Sequence, residues 1–213
     1  MKRSSVLLLL QLLSGVSVGA QTPIRVDLYQ GGKLSIDGST NIIPFHIYQS
    51  SDQLFSRPTI RFVATTVEDK IYLSENQLFI QVKSFRSNNP MALHDFLKLI
   101  QSDKYPLIKV ELCYIDRMVS TDKKGRSGGN ALINITITGV TCQYSLPVTS
   151  DMVDGRTIIS GRKQLNIRDF GLQPPQIMMG LIKVSELITI DFRFPCNIDL
   201  DSTVIQNMAV RAE

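Results

Sequence analysis

From Gln21 onward, apolar and polar residues alternate in short runs separated by turn signals. A period of two is the mark of a strand with one face buried and the other toward water. Ile24 to Tyr29 alternates and ends at Gly31-Gly32, and Lys33 to Ile36 follows, ending at Asp37-Gly38. Thr40 to Tyr48 carries Ile43, Phe45 and Ile47 on one parity. Further alternating pieces lie at Thr59 to Thr66, Lys70 to Leu73 and Leu78 to Val82. After the middle of the chain, Ile108, Val110, Leu112 and Tyr114 share a parity against Lys109, Glu111 and Cys113. Ile133, Ile135 and Ile137 share another, Gly139 breaks the run, and a strand from Val140 reaches Val148. The stretch from Lys163 to Phe194 organises the rest. A strand from Arg156 runs into Asp169-Phe170-Gly171, a turn follows at Pro174-Pro175, and Ile188, Ile190, Phe192 and Phe194 then alternate with Thr189, Asp191 and Arg193. This reads as the closing hairpin of a barrel. The tail from Asn197 to Glu213 reads as an extra edge piece or as partly disordered.

One segment breaks the period. Asn89 is a good N-cap, Pro90 suits the first helical position, and Leu93, Phe96, Leu97 and Ile100 recur at helical spacing. Pro106 disfavours helix at Tyr105. The spacing predicts one amphipathic helix over Pro90 to Ile100, a lid or plug whose stripe packs on something larger. Many short strands with one central helix, no linker and no internal repeat predict an antiparallel barrel or sandwich. A barrel has the advantage of leaving no exposed edge.

The first twenty residues change the address, not the fold. Lys2 and Arg3 precede an apolar run from Val6 to Leu13, and Val18-Gly19-Ala20 fits cleavage before Gln21. The run is short for a membrane anchor. Residues 1–20 are therefore expected to be a signal peptide and 21–213 one domain, periplasmic or secreted, without stable membrane insertion. Losing Lys2 and Arg3 with no acidic residue lowers the formal charge from +4 to +2. So small an excess gives no reason to expect a nucleic-acid partner. Cys113, Cys142 and Cys196 form an odd set at no metal-ligand spacing, and small packed residues are the expected role.

Candidate chemistry is sparse. His46 lies on the parity opposite Phe45 and Ile47, His94 sits beside the helical stripe, and neither has a carboxylate or second histidine at ligand spacing. There is no nucleophile elbow or phosphate loop. The sequon Asn134-Ile-Thr136 falls inside a predicted strand. Asn197, Asp199 and Asp201 alternate as in a calcium loop, but the glycine and distal glutamate of that motif are missing. No enzyme activity, metal or cofactor is expected. What remains is the apolar inward set: Phe45, Ile47, Phe96, Ile108, Val110, Leu112, Tyr114, Ile133, Ile135, Ile137, Ile188, Ile190 and Phe192, with Phe194 beside them. Such residues either fill an eight-stranded barrel or line a cavity for one ligand.

Four stretches carry a resemblance: Leu34 to His46 with its Thr40-Asn41 and Phe45; Val82 to Phe85 continuing through Met91 to Tyr105-Pro106; Leu132 to Thr141 with its Gly139-Val140-Thr141 corner; and Asp169-Phe170-Gly171 with Pro174-Pro175 and Gly180. In this order the chain resembles the YceI-like family. The resemblance implies an eight-stranded, antiparallel, lipocalin-like all-β barrel with one main helix. Characterised relatives hold a long amphiphilic lipid such as a polyisoprenoid inside it. The match is closer to the branch with the Thr-Asn and Asp-Phe-Gly-Pro-Pro features than to the lipid-binding members, whose His-rich opening strand is not seen here. The expected function is an exported binding protein, monomer or dimer, holding an amphiphilic or isoprenoid-like lipid. The alternative is a filled barrel serving as an envelope-stress or protein-interaction module.

Overall fold

The computed structural model describes residues 21–50, 59–74, 76–116, 119–120, 126–177 and 181–200. The first 20 and last 13 residues, and with them the signal-peptide reading and most of the tail, lie outside the described residues.

Eight antiparallel staves close on themselves. The eighth is a single strand, β15 (Leu187–Leu200), and the first is two strands laid end to end along it, β1 (Gln21–Leu28) and β2 (Lys33–Ser39). The second stave is β3 (Pro44–Ser50) against β2 and β4 (Thr59–Val67) against β1. The third is β5 (Lys70–Ser74) and β6 (Gln77–Gln81), both paired to β8 (Leu107–Asp116). β10 (Ser127–Ile137), β11 (Val140–Val153) and β12 (Arg156–Asn166) complete the wall and return to β15. A short β9 (Val119–Ser120) extends the β10 edge. Each stave is paired on both sides over at least part of its length, and that closes the ring.

The tail therefore does more than the sequence reading expected. Ile198, Asp199 and Leu200 pair with Val26, Arg25 and Ile24, so the end of β15 makes the closing contact with the first strand. Weak apolar content hid it, because outward positions such as Asn197 and Asp199 are free to be polar. The Asn197-Asp199-Asp201 alternation is thus part of a strand up to Leu200, not a calcium loop.

At one end of the barrel β1, β4, β5 and β8 form a continuous ladder. At the other end no ladder joins β3 to β6 among the described residues. There the chain inserts a 3-10 turn (Val82–Ser84), a two-residue strand β7 (Arg86–Ser87) on the edge of β3, and helix α1 (Pro90–Leu99). Val82 and Phe85 are almost fully buried in this seam, and the Gln49 Nε2 donates across it to the Gln81 carbonyl at 3.5 Å. α1 starts as its sequence specifies: the Asn89 Oδ1 accepts from the Met91 and Ala92 amides at 3.1 Å, with Pro90 in the first turn.

One irregularity re-aims a whole strand. Between β5 and β6 no described residue of the third stave pairs through its backbone with Leu112 of β8. The buried Asn76 fills that place, its Oδ1 accepting from the Leu112 amide at 2.6 Å while its Nδ2 donates to the Leu73 carbonyl at 2.8 Å. On the opposite edge of β8 the register slips: Ile133 pairs with Leu112 but Leu132 with Tyr114, leaving Cys113 as the extra residue of a bulge. Replacing Asn76 by Ala strands a buried amide, which costs about 1–3 kcal/mol. Chemical denaturation of Asn76→Ala is expected to show that loss; an unchanged midpoint would mean the bulge needs no side-chain partner.

Candidate functional site: an apolar cavity along the barrel

The inward faces of the staves do not meet. They enclose a cavity of about 630 Å³ that runs the length of the barrel. β15 contributes six consecutive inward positions: Ile188, Ile190, Phe192, Phe194, Cys196 and Ile198. β10 adds Ala131, Ile133, Ile135 and Ile137, β8 adds Ile108, Val110, Leu112 and Ile115, and β3 adds Phe45 and Ile47. Strict alternation explains why these line up, since each strand presents every second side chain to one face.

Of the inward set read from the sequence, Phe45, Ile47, Phe96, Ile108, Val110, Leu112, Ile133, Ile135, Ile137, Ile188, Ile190, Phe192 and Phe194 all border the cavity. Tyr114 does not. The bulge at Cys113 flips the parity of β8, so Ile115 takes the inward place. Tyr114 stands beside Tyr72, ring centroids 5.6 Å apart, with the Lys70 ammonium 4.4 Å above its ring. Alternation cannot reveal a bulge, and here a single extra residue moved the aromatic through the wall.

Sequence reasoning also left lining residues unnamed. Ile24, Val26, Leu28, Ile60, Phe62, Ile71 and Leu73 line the half of the barrel built by β1, β4 and β5. Tyr144, Leu146 and Val148 come from β11, and Asn76 from the break in the third stave. Lys163 is the notable omission. It shares its parity with Ile159, Leu165 and Ile167, all lining residues, so the pattern itself placed it inside.

Two glycines make room for aromatic rings. Gly38 faces Phe45 and Gly161 faces Phe192 across their ladders. A Cβ on Gly38 would lie 2.2 Å from the Phe45 ring; one on Gly161 would lie 2.7 Å from the Phe192 ring and 2.9 Å from the Pro147 carbonyl oxygen. Each ring is laid over the backbone of the neighbouring strand, along the wall instead of across the lumen. Phe192 also stacks on Phe194 at 5.3 Å.

The mouth lies at the helix end. The β2–β3 turn brings Ile42 and Ile43 there, both more than half exposed. Asn41 clamps this turn to the two-stranded sheet of β13 (Gln176–Ile177) and β14 (Ile182–Lys183): its Nδ2 donates to the Leu181 carbonyl at 3.1 Å and its Oδ1 accepts from the Lys183 amide at 2.9 Å. A 3-10 turn (Ile167–Phe170) capped by Asn166 and ended by left-handed Gly171 buries Phe170 at the same end. Its Asp169 accepts from the Tyr144 hydroxyl at 2.8 Å. Burial first, and then this hydrogen bond to the carboxylate, hold the Tyr144 phenol protonated well above its ordinary range. The fully buried Cys196 thiol is pushed up to about 11 by burial alone. Burial also raises Cys113 and Cys142, so none of the three free thiols is poised as a nucleophile near neutral pH.

The two histidines stand outside this cavity. His46 is exposed, hydrogen-bonded through Nδ1 to Asp37 Oδ1 at 2.5 Å and stacked on Tyr48, and His94 is exposed on α1. Among the described residues no three His, Cys, Asp or Glu side chains converge to hold a metal ion. No described helix is long and apolar enough to cross a membrane.

A model of the YceI-like domain matches residues 49–195, more than half of the sequence. The chain belongs to the YceI-like family. Solved structures agree on the fold. A polyisoprenoid-binding domain from Saccharophagus degradans superposes with a TM-score of 0.52 at 12% identity, covering 83% of this chain and 98% of that one. Burkholderia cenocepacia BcnA superposes with a TM-score of 0.54 at 14% identity, covering 79% and 96%. No curated protein matches the YceI-like chain.

α1 covers the mouth with part of the stripe read from its sequence, Phe96 and Ile100, widened by neighbours on the same side. Met91, Ala92, Asp95, Phe96, Leu99 and Ile100 border the cavity, while Leu93 and Leu97 pack into the surrounding core beside it. No residue of the helix is fully buried, as befits a cover with one wet side. Phe96 is its anchor, set edge-on against the buried Phe85 at 5.3 Å. Because Phe96 is only half-buried, Phe96→Ala is expected to cost less than the roughly 3–5 kcal/mol of a full burial site. Under the lid reading it speeds exchange of an apolar fluorescent probe more than it lowers the melting temperature. A large melting loss with unchanged exchange, read by stopped-flow fluorescence, would make α1 a plug.

Proposed function

We propose that this protein is an exported binding protein that holds an amphiphilic or isoprenoid-like lipid inside its barrel and performs no catalysis. The carrying observation is the cavity itself. Its volume, about 630 Å³, is about four times that of the 150 Å³ apolar cavity that takes up benzene. Ile188 to Ile198 spans ten residues, or about 33 Å at 3.3 Å per residue. A strand tilt of about 40° brings this to roughly 25 Å along the barrel axis. The mean cross-section is then on the order of 25 Å², suited to one hydrocarbon chain whose atoms keep about 4 Å from the wall. Each Å² of such a chain taken from water contributes about 25 cal/mol. The polyisoprenoid-binding relative from Saccharophagus degradans supports the same ligand class.

A filled barrel acting as an interaction module is the weaker reading, because it calls for large side chains closing the interior. A catalytic reading lacks a set of converging ionisable groups. The export part of the proposal rests on the first 20 residues and places the protein in the periplasm or outside the cell, where proteolytic mapping of the mature N-terminus to Gln21 would support it.

Native mass spectrometry of gently purified protein is expected to show a bound lipid mass that disappears on organic extraction. The extracted protein is expected to take up a polyprenol in its place. A protein that is empty as purified and refuses polyprenols would overturn the lipid reading.

A further inference from the structure

The cavity is apolar almost throughout, and among the described residues one cation borders it. Lys163 sits on β12 between outward-facing Arg162 and Gln164, and its side chain borders the lumen, half-buried. Across the ladder it faces Ile190, which in turn faces Ile36. Among the described residues its ammonium makes no hydrogen bond and no ion pair. Arg162, one residue earlier, lies 4.0 Å from Asp191 on the outside, so one of these neighbouring cations meets a carboxylate while the other borders the apolar lumen without one. Three other ionisable groups border the cavity among the described residues: Asp95, Tyr144 and the Cys196 thiol, which burial holds protonated. Asp95 enters from α1 and is not paired to Lys163, and Tyr144 is already engaged by Asp169.

An ammonium facing hydrocarbon is costly unless an anion or acceptor meets it. A filling isoleucine or leucine at this position would pack better if the occupant were hydrocarbon alone. Resting on the lipid-binding reading above, we propose that Lys163 is the headgroup anchor of the cavity, and that the ligand is an anionic amphiphile, a long chain ending in a carboxylate or a phosphate. The ammonium pairs with the acid group while the tail follows the inward face of β15. Tyr144 is too firmly held by Asp169 to compete for the same oxygen atoms.

The test uses delipidated protein and two matched pairs, palmitate with hexadecanol and farnesyl phosphate with farnesol. In at least one pair the acid is expected to bind at least about tenfold more tightly than the alcohol, the size of one charge-assisted hydrogen bond. The pair that shows it tells carboxylate from phosphate. Lys163→Met and Lys163→Gln are each expected to bring that ratio close to one, and Lys163→Arg to retain it. Arg162→Met removes the same charge from the outer face and is expected to leave the ratio in place. An acid-to-alcohol ratio near one in the unaltered protein overturns the anchor while leaving the lipid-binding reading intact, and so does a ratio that survives both neutral substitutions. Uptake of neither acid nor alcohol would bring down both.

Discussion

The structure depends on one strand having partners enough. β15 pairs with β12 along ten residues on one side, and on the other with β2 and then β1. Among the described residues it is the strand that joins the last stave to both pieces of the first. A barrel needs its first and last staves to meet in register. Here the meeting is made twice, by Thr189 to Arg193 against β2 and by Cys196 to Leu200 against β1, the latter being the residues where the alternation looks weakest. Once it is made, every inward position of β15 is committed to the lumen, and the inward parity of its neighbours follows from the ladders.

Closure alone does not decide whether the interior is full or hollow. Eight staves enclose a space that side chains can just fill. Two local choices work against filling. At Gly38 and Gly161 the missing side chains let Phe45 and Phe192 lie over the neighbouring backbone, so rings that could have crossed the lumen thicken the wall instead. Toward the mouth the second and third staves part, and the gap is closed by Phe85 and α1 from outside the ring. The interior is kept apolar and open by the same residues that would have packed it.

Much of this was legible in the sequence, for physical reasons that also set its limits. Alternation is enforced wherever one face is buried, so Ile133 to Ile137 and Ile188 to Phe194 could be read directly, and the Asn89-Pro90 start of the helix follows from capping chemistry. Tyr114 could not be placed. Its orientation depends on Cys113 being looped out, which in turn depends on Asn76, a residue 36 positions earlier, standing in for a missing backbone partner. The closing role of Ile198 to Leu200 was hidden because it lies in the pairing, not in the side chains. Lys163 was legible and passed over: its parity was plain, but a cation on an inward parity goes against the expectation that charges face water.

The size of the cavity bears on how the fold holds itself together. At about 24 cal/mol per Å³, the figure for small engineered cavities, an empty apolar space of 630 Å³ corresponds to a penalty on the order of 15 kcal/mol. That equals or exceeds the whole stability of a typical domain. The barrel therefore cannot rely on its lumen as a core in the usual sense. Its cohesion comes from the closed backbone ladder, the satisfied amide at Leu112, and the packing of deeply buried residues such as Val82, Phe85 and Phe170 toward the mouth. Such a wall is stable enough to stay open, yet has much to gain from an occupant that brings hydrocarbon to its inner face. On the reading proposed here, ligand uptake supplies the packing that sequence and closure withhold, and loading the barrel and stabilising it become the same event.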